Sequence, residues 1–97
     1  MSKKKSGKNA APKIEQLFLL NAPTAQDVQL AGNFTQWEKS AIAMSKNDNG
    51  IWQAAVAMQP GEYQYRFLVD GEWWDDEECA SYSPNPFGSR NAVRQVT

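Results

Sequence analysis

A chain of 97 residues with 10 Lys and Arg against 11 Asp and Glu is long enough for one domain of formal net charge −1. A chain this short buries about 60 to 65% of the surface it exposes when unfolded, so it holds a single core. It has no histidine, which removes the imidazole base, the Ser/His/Asp triad and the histidine-rich metal sites of small hydrolases and zinc proteins, and argues against an enzyme.

Residues 1–13 carry five lysines and no acid, spaced by Ser, Gly, Asn, Ala and Pro. With nothing to bury, they are expected to form a disordered, solubilising tail ahead of a folded domain over residues 14–97. Met1 and the lysine tail together point to a complete gene product. The domain holds five cations against eleven acids, a net of −6. An acidic body behind a tail without interleaved aromatics does not suit nucleic acid. The single Cys79 cannot close an intramolecular disulfide, and no apolar run reaches the roughly 18 to 20 residues of a membrane span. A soluble cytoplasmic protein without a membrane partner is expected.

Glu15–Leu20 reads as a first strand ended by Asn21-Ala22-Pro23, and Asp27–Ala31 as a second stopped by Gly32-Asn33. Asn33–Lys39 carries turn formers and polar residues, so Phe34 is expected to anchor a loop that leaves Trp37 partly open. Ile42–Met44 is a short third strand, and Asn47-Asp48-Asn49-Gly50 a strong turn. Ile51–Met58 follows, with Trp52, Ala54, Val56 and Met58 on one face, which places Trp52 in the core.

Gln59-Pro60-Gly61 closes a hairpin into Gly61–Val69, where Tyr63, Tyr65, Phe67 and Val69 recur at period two. Gln64, Arg66 and Leu68 take the other face, and Arg66 is expected to meet solvent. Asp70-Gly71 supplies the positive φ of a two-residue hairpin, so Trp73 should return beside Arg66 and Leu68. Trp73 and Trp74 must split, with Trp73 outward and Trp74 inward. An exposed Trp beside a cation makes a surface fit to grip something flat.

The stretch after Trp74 is irregular and rich in Asp, Glu, Ser, Asn and Pro. Asp75-Asp76-Glu77-Glu78 lacks the alternating spacing and glycine turn of a calcium loop, and an open sandwich gives it no cleft for a glycosidase pair, so a solvated loop without metal is expected. Those acids should make Cys79 a poor thiolate. Asn91–Val96 is the last strand, with Val93 facing one way and Ala92, Arg94 and Val96 the other. About seven short strands at this spacing imply an all-β fold, an immunoglobulin-like (early-set) antiparallel β-sandwich.

Three blocks in order carry a family resemblance: Gly32-Asn33-Phe34-Thr35-Gln36-Trp37, Pro60 through Trp73, and Asn85-Pro86-Phe87-Gly88-Ser89-Arg90-Asn91. They resemble the glycogen- and starch-binding modules of the AMP-activated protein kinase beta subunit, isoamylases and glycogen branching enzymes. The resemblance implies a non-catalytic module for α-1,4-glucans without a cofactor, and a sugar site at Trp37, Arg66, Trp73, Phe87, Ser89 and Asn91. Arg66 stands where kinase-type modules have Lys, keeping the charge but presenting a planar fork. Phe87 and Ser89 stand in place of Leu and Thr. Two partner classes stay open, an α-glucan or a glucan-metabolising enzyme or kinase-like protein, because Trp and Arg also anchor protein interfaces.

Overall fold

The alternation of apolar and polar residues becomes two antiparallel sheets facing each other across one core. The computed structural model describes residues 12–86 and 88–97, so the tail expected over 1–13 lies outside the described residues except for Pro12 and Lys13, which are exposed. The strands are β1 (Ile14–Asn21), β2 (Val28–Gly32), β3 (Ile42–Ala43), β4 (Ser45–Lys46), β5 (Ile51–Met58), β6 (Gly61–Val69), β7 (Glu72–Trp74), β8 (Tyr82–Pro84) and β9 (Arg90–Val96), with a 3-10 turn at Trp37–Ser40. One sheet runs β1-β5-β4 and the other β3-β2-β6-β9-β8, with β7 paired to β6. Among the described residues, no helix is long and apolar enough to cross a membrane.

The period-two faces are the expected ones. Phe18 and Trp52 from the small sheet meet Leu30, Tyr65, Phe67, Ala92 and Val96 from the large one, all buried. Phe18 is the hub: its ring stands edge-on to Tyr65 at 5.0 Å and stacks with Phe34 at 6.0 Å. Each such pair adds about 0.5–1.5 kcal/mol beyond area burial. The Trp52 indole N–H is satisfied by the Ala22 carbonyl at 2.8 Å.

Three features depart from the sequence expectations. The third strand is interrupted: Met44 turns into the core and donates its N–H to the Val28 carbonyl at 2.9 Å, so β3 joins the large sheet and β4 the small one. The stretch after Trp74 contains β8, a three-residue edge strand ending in Pro84, a residue that edge strands tolerate. Asp75 and Asp76 are not merely solvated. The Asp76 carboxylate accepts the Tyr65 hydroxyl at 2.6 Å and its carbonyl accepts that of Tyr82, while Asp75 pairs with two arginines.

Candidate functional site

The β6–β7 hairpin supplies two of the implicated side chains. Asp70 and Gly71 sit at φ 48° and 85°, the two left-handed residues of a tight hairpin turn. The Asp70 carboxylate accepts the backbone N–H of Gln26 and Asp27, which ties the turn to the segment before β2. The resulting register sets Trp73 opposite Leu68 and Trp74 opposite Phe67. Trp73 therefore shares the outer face with Arg66, whose guanidinium carbon lies 5.8 Å from the Trp73 ring centre.

Trp37 comes from a strained loop held at several points. Gln36 and Trp37 both adopt left-handed φ, 57° and 59°, at a cost of order 1–3 kcal/mol per residue. The buried Thr35 hydroxyl offsets this by accepting the Gly32 N–H at 3.0 Å and donating to the Trp37 carbonyl at 2.8 Å. Phe34 anchors the loop against Phe18 and Tyr63, as expected. Gly32 is required there, because a Cβ would stand 2.4 Å from the Gln64 carbonyl and 2.5 Å from the Phe34 ring. The loop also grips β6 directly: Asn33 donates its N–H to the Gln64 carbonyl at 3.0 Å and accepts the Gln64 N–H at 3.2 Å.

These constraints bring Trp37 and Trp73 together, ring centres 6.5 Å apart and planes at 75°. With Arg66, Asn91, Glu38, Asn85 and Pro86 they line an open cavity of about 560 Å³. Four of the six implicated residues thus converge. Ser89 does not line the cavity. It is exposed in the Asn85–Ser89 turn, where backbone and Asn85 side chain hold each other: the Ser89 N–H reaches Asn85 Oδ1 at 3.2 Å and the Ser89 carbonyl accepts the Asn85 N–H at 3.0 Å. Phe87 lies outside the described residues.

Arg66 is not solvent-facing as expected: it projects from the outer face, yet its side chain is only 15% exposed. The chain leaving β7 folds back so that Asp75 covers it, Oδ1 to Nη2 at 3.1 Å. Asn91 is also buried, with Nδ2 donating to Gln64 at 3.0 Å and Oδ1 accepting from Asn85 at 3.1 Å. It forms the cavity floor and orients its neighbours. The inward–outward split of Trp73 and Trp74 holds in direction and fails in burial, since both are 39% exposed. Trp74 takes the core side, but the opposite sheet ends before covering it.

Sequence reasoning missed Glu38, Asn85 and Asp75. The Asn85-Pro86 turn signal could have flagged Asn85, whereas nothing local links Asp75 to Arg66. Chemically, the cavity offers two flat apolar faces nearly perpendicular to one another, a cation beside one of them, and carboxamide groups on its floor. That arrangement suits a ligand that presents successive flat faces around a bend.

The chain matches the profile of the family described as the glycogen recognition site of AMP-activated protein kinase over residues 20–97. It is 31% identical over 67 residues to the 1,4-alpha-glucan branching enzyme GlgB of Salinibacter ruber, covering 67% of this chain and 11% of that protein. It is 39% identical over 51 residues to the 5'-AMP-activated protein kinase subunit beta-1 of Sus scrofa, covering 53% and 39%. Among solved structures, the pullulanase from Bacillus acidopullulyticus superposes with a TM-score of 0.63 at 26% identity, covering 87% of this chain and 11% of that one. The chain thus spans well under half the length of each of these relatives. Matched over residues 20–97 and folded as the expected sandwich, the chain belongs to the family of glycogen recognition modules.

Proposed function

We propose that the chain is a non-catalytic module that binds α-1,4-glucans, whether glycogen, starch or maltooligosaccharides. The observation that carries this is the Trp37–Trp73 pair, 6.5 Å apart at 75°, with Arg66 beside it. An α-1,4-glucan curves, and each glucose shows an apolar C–H face and a rim of hydroxyls. Two angled rings can cover consecutive sugar faces, and removing about 50 to 80 Å² of apolar surface per stack from water is worth roughly 1 to 2 kcal/mol. Arg66 would then read the hydroxyl rim at about 0.5 to 1.5 kcal/mol net per bond, over a floor that the buried Asn91 amide keeps in place. After the cost of association, a dissociation constant on the order of 10 μM to 1 mM is expected for a short oligosaccharide. Membership of the glycogen recognition family supports the glucan, and the free Cys79 suits a reducing compartment such as the cytoplasm.

Titration with maltoheptaose, followed by amide NMR shifts and Trp fluorescence, tests this. Shifts centred on Trp37, Arg66 and Trp73, absent with a β-linked glucan, are expected. No response to any soluble α-glucan would refute the proposal. A second reading, docking on a glucan-metabolising enzyme or kinase-like partner, is favoured by exposed leucines on β1: Leu17 and Leu19 are 52% and 48% exposed, and Leu19 borders the cleft that Trp73 and Trp74 also line.

A further inference from the structure

We propose that Asp75 is a positioning residue of the glucan site: it fixes the Arg66 guanidinium against Trp73, so that what Arg66 contributes to glucan affinity depends on the Asp75 carboxylate. This rests on the glucan-binding function proposed above. Asp75 stands between two cations, with Oδ1 3.1 Å from Arg66 Nη2 and Oδ2 3.1 Å from Arg90 Nε. Arg90 is itself placed, its guanidinium carbon 3.9 Å from the Tyr82 ring centre. A line of contacts therefore runs Tyr82, Arg90, Asp75, Arg66, Trp73, Trp37. It draws side chains from β8, β9, the segment after β7, β6, β7 and the 3-10 turn, and ends at the two candidate sugar platforms.

The pair is well shielded, the Arg66 and Asp75 side chains being 15% and 22% exposed, so their attraction is less screened than that of a surface pair. Among the described residues, Arg66 Nε and Asp75 Oδ1 are both buried with no hydrogen-bond partner, so Arg66 and Asp75 meet as a charge pair at 3.1 Å and not as an aligned hydrogen bond. The guanidinium is therefore held by the Asp75 charge at its far end, with the Trp73 ring beside it. An arginine has many rotamers, and one already held in place loses less freedom when a ligand arrives. Without the carboxylate, Arg66 and Arg90 would be left as two like charges on neighbouring strands, and Arg66 would be free to swing away from Trp73. The pairing also suits an arginine: one end of its planar guanidinium, Nη2, lies by Asp75 while the group lies near the Trp73 ring, whereas a lysine ammonium is a single point.

The test is maltoheptaose titration of the full chain in a double-mutant cycle. Asp75→Asn, nearly isosteric, should weaken binding about tenfold, or about 1.4 kcal/mol. Arg66→Gln should weaken it at least as much, and adding Asp75→Asn to Arg66→Gln should change affinity less than twofold. The Arg66 Nε–Hε NMR resonance should shift in Asp75→Asn, and Asp75→Glu should recover part of the affinity. A purely structural Asp75 would lower affinity equally in both backgrounds, and that result overturns the inference, as does full affinity in Asp75→Asn. Should Asp75→Asn fail to fold, Arg90→Gln serves instead. It removes the outer cation, and a several-fold loss that disappears in the Arg66→Gln background is expected, whereas an equal loss in both backgrounds counts against the relay. Wild-type protein that ignores maltoheptaose defeats the glucan proposal and this inference together, and a Trp37→Ala variant that still binds it defeats the Trp-pair site and this inference while glucan binding stands. Lost binding in Trp37→Ala with intact binding in Asp75→Asn defeats the inference alone.

Discussion

Trp73 and Trp74 are adjacent and equally exposed at 39%, and they meet two unlike environments. Trp73 has a second indole at 6.5 Å, a guanidinium at 5.8 Å and a floor containing Asn91. Trp74 looks into a cleft of about 670 Å³ at the end of the sandwich, lined by Leu19, Leu20 and Ile51 together with the acidic segment after β7, and Trp73 and Arg66 border this cleft as well. Exposure alone therefore does not mark a binding Trp. What separates the two is whether neighbours drawn from other elements fix the ring and set polar groups at its edge. Around Trp37 and Trp73 the 3-10 turn, β6 and β9 converge, while Trp74 has no second ring set at an angle to it among the described residues.

The largest expected effect breaks this comparison if it fails. Trp73→Ala should lose maltoheptaose binding by at least about tenfold, since one stack and its Arg66 neighbour go together, whereas Trp74→Ala should stay within about twofold. Both rings are partly solvated, so urea unfolding should show losses of only about 1 kcal/mol in each. Equal loss of binding in the two variants would mean that the cleft, not the paired rings, holds the sugar.

Thr35→Val should come next, and its effect on stability should reach the site. The buried Gly32 N–H would lose its acceptor, at a cost of about 1–3 kcal/mol, and the left-handed Gln36-Trp37 step would lose the hydroxyl that holds it. Urea denaturation should show lower stability, and fluorescence titration weaker binding. Gly50→Ala gives the matching change on the Trp74 side. Gly50 has φ 80°, and a Cβ there would approach Pro23 to 2.7 Å, so a loss of about 1–2 kcal/mol is expected with glucan affinity unchanged. A binding defect in Gly50→Ala would show that the two sides are coupled.

The parts legible in the sequence are those fixed by local rules. Period two over Tyr63–Val69 set the faces of β6, and the left-handed demand of Asp70-Gly71 set the register that puts Trp73 beside Leu68. Phe34 as anchor and Trp37 as partly open followed from the turn composition around them. What stayed illegible depends on where distant chain ends up. Trp74 is exposed because the opposing sheet stops, which no residue near Trp74 encodes. Arg66 is covered because Asp75, nine residues on, folds over it, and Arg90, fifteen residues beyond Asp75, completes the pair. Asn91 came to the site only through the family resemblance, and its burial was not legible at all, since its partners Gln64 and Asn85 lie on β6 and in the turn before β9.

The smallest effect at neutral pH concerns the joint between the two sides. The Tyr65 hydroxyl reaches Asp76 from the core at 2.6 Å and pins the chain just beyond Trp74. Burial, and then the hydrogen bond to Asp76, push the Tyr65 hydroxyl well above the usual phenol range. A group whose pKa is raised by folding contributes stability that is fully present below its unfolded value, about 10 for tyrosine, and lost as pH climbs past it. Stability should accordingly be flat with respect to this group through neutrality and fall above about pH 10, because the unfolded chain releases this proton while the folded one holds it. Tyr65→Phe should lose about 1 kcal/mol at pH 7, from the missing hydrogen bond, and show a shallower alkaline decline. Urea unfolding at pH 7 and at alkaline pH, in both proteins, measures the difference. Parallel declines would mean that Asp76 holds the chain beyond Trp74 without help from the core tyrosine.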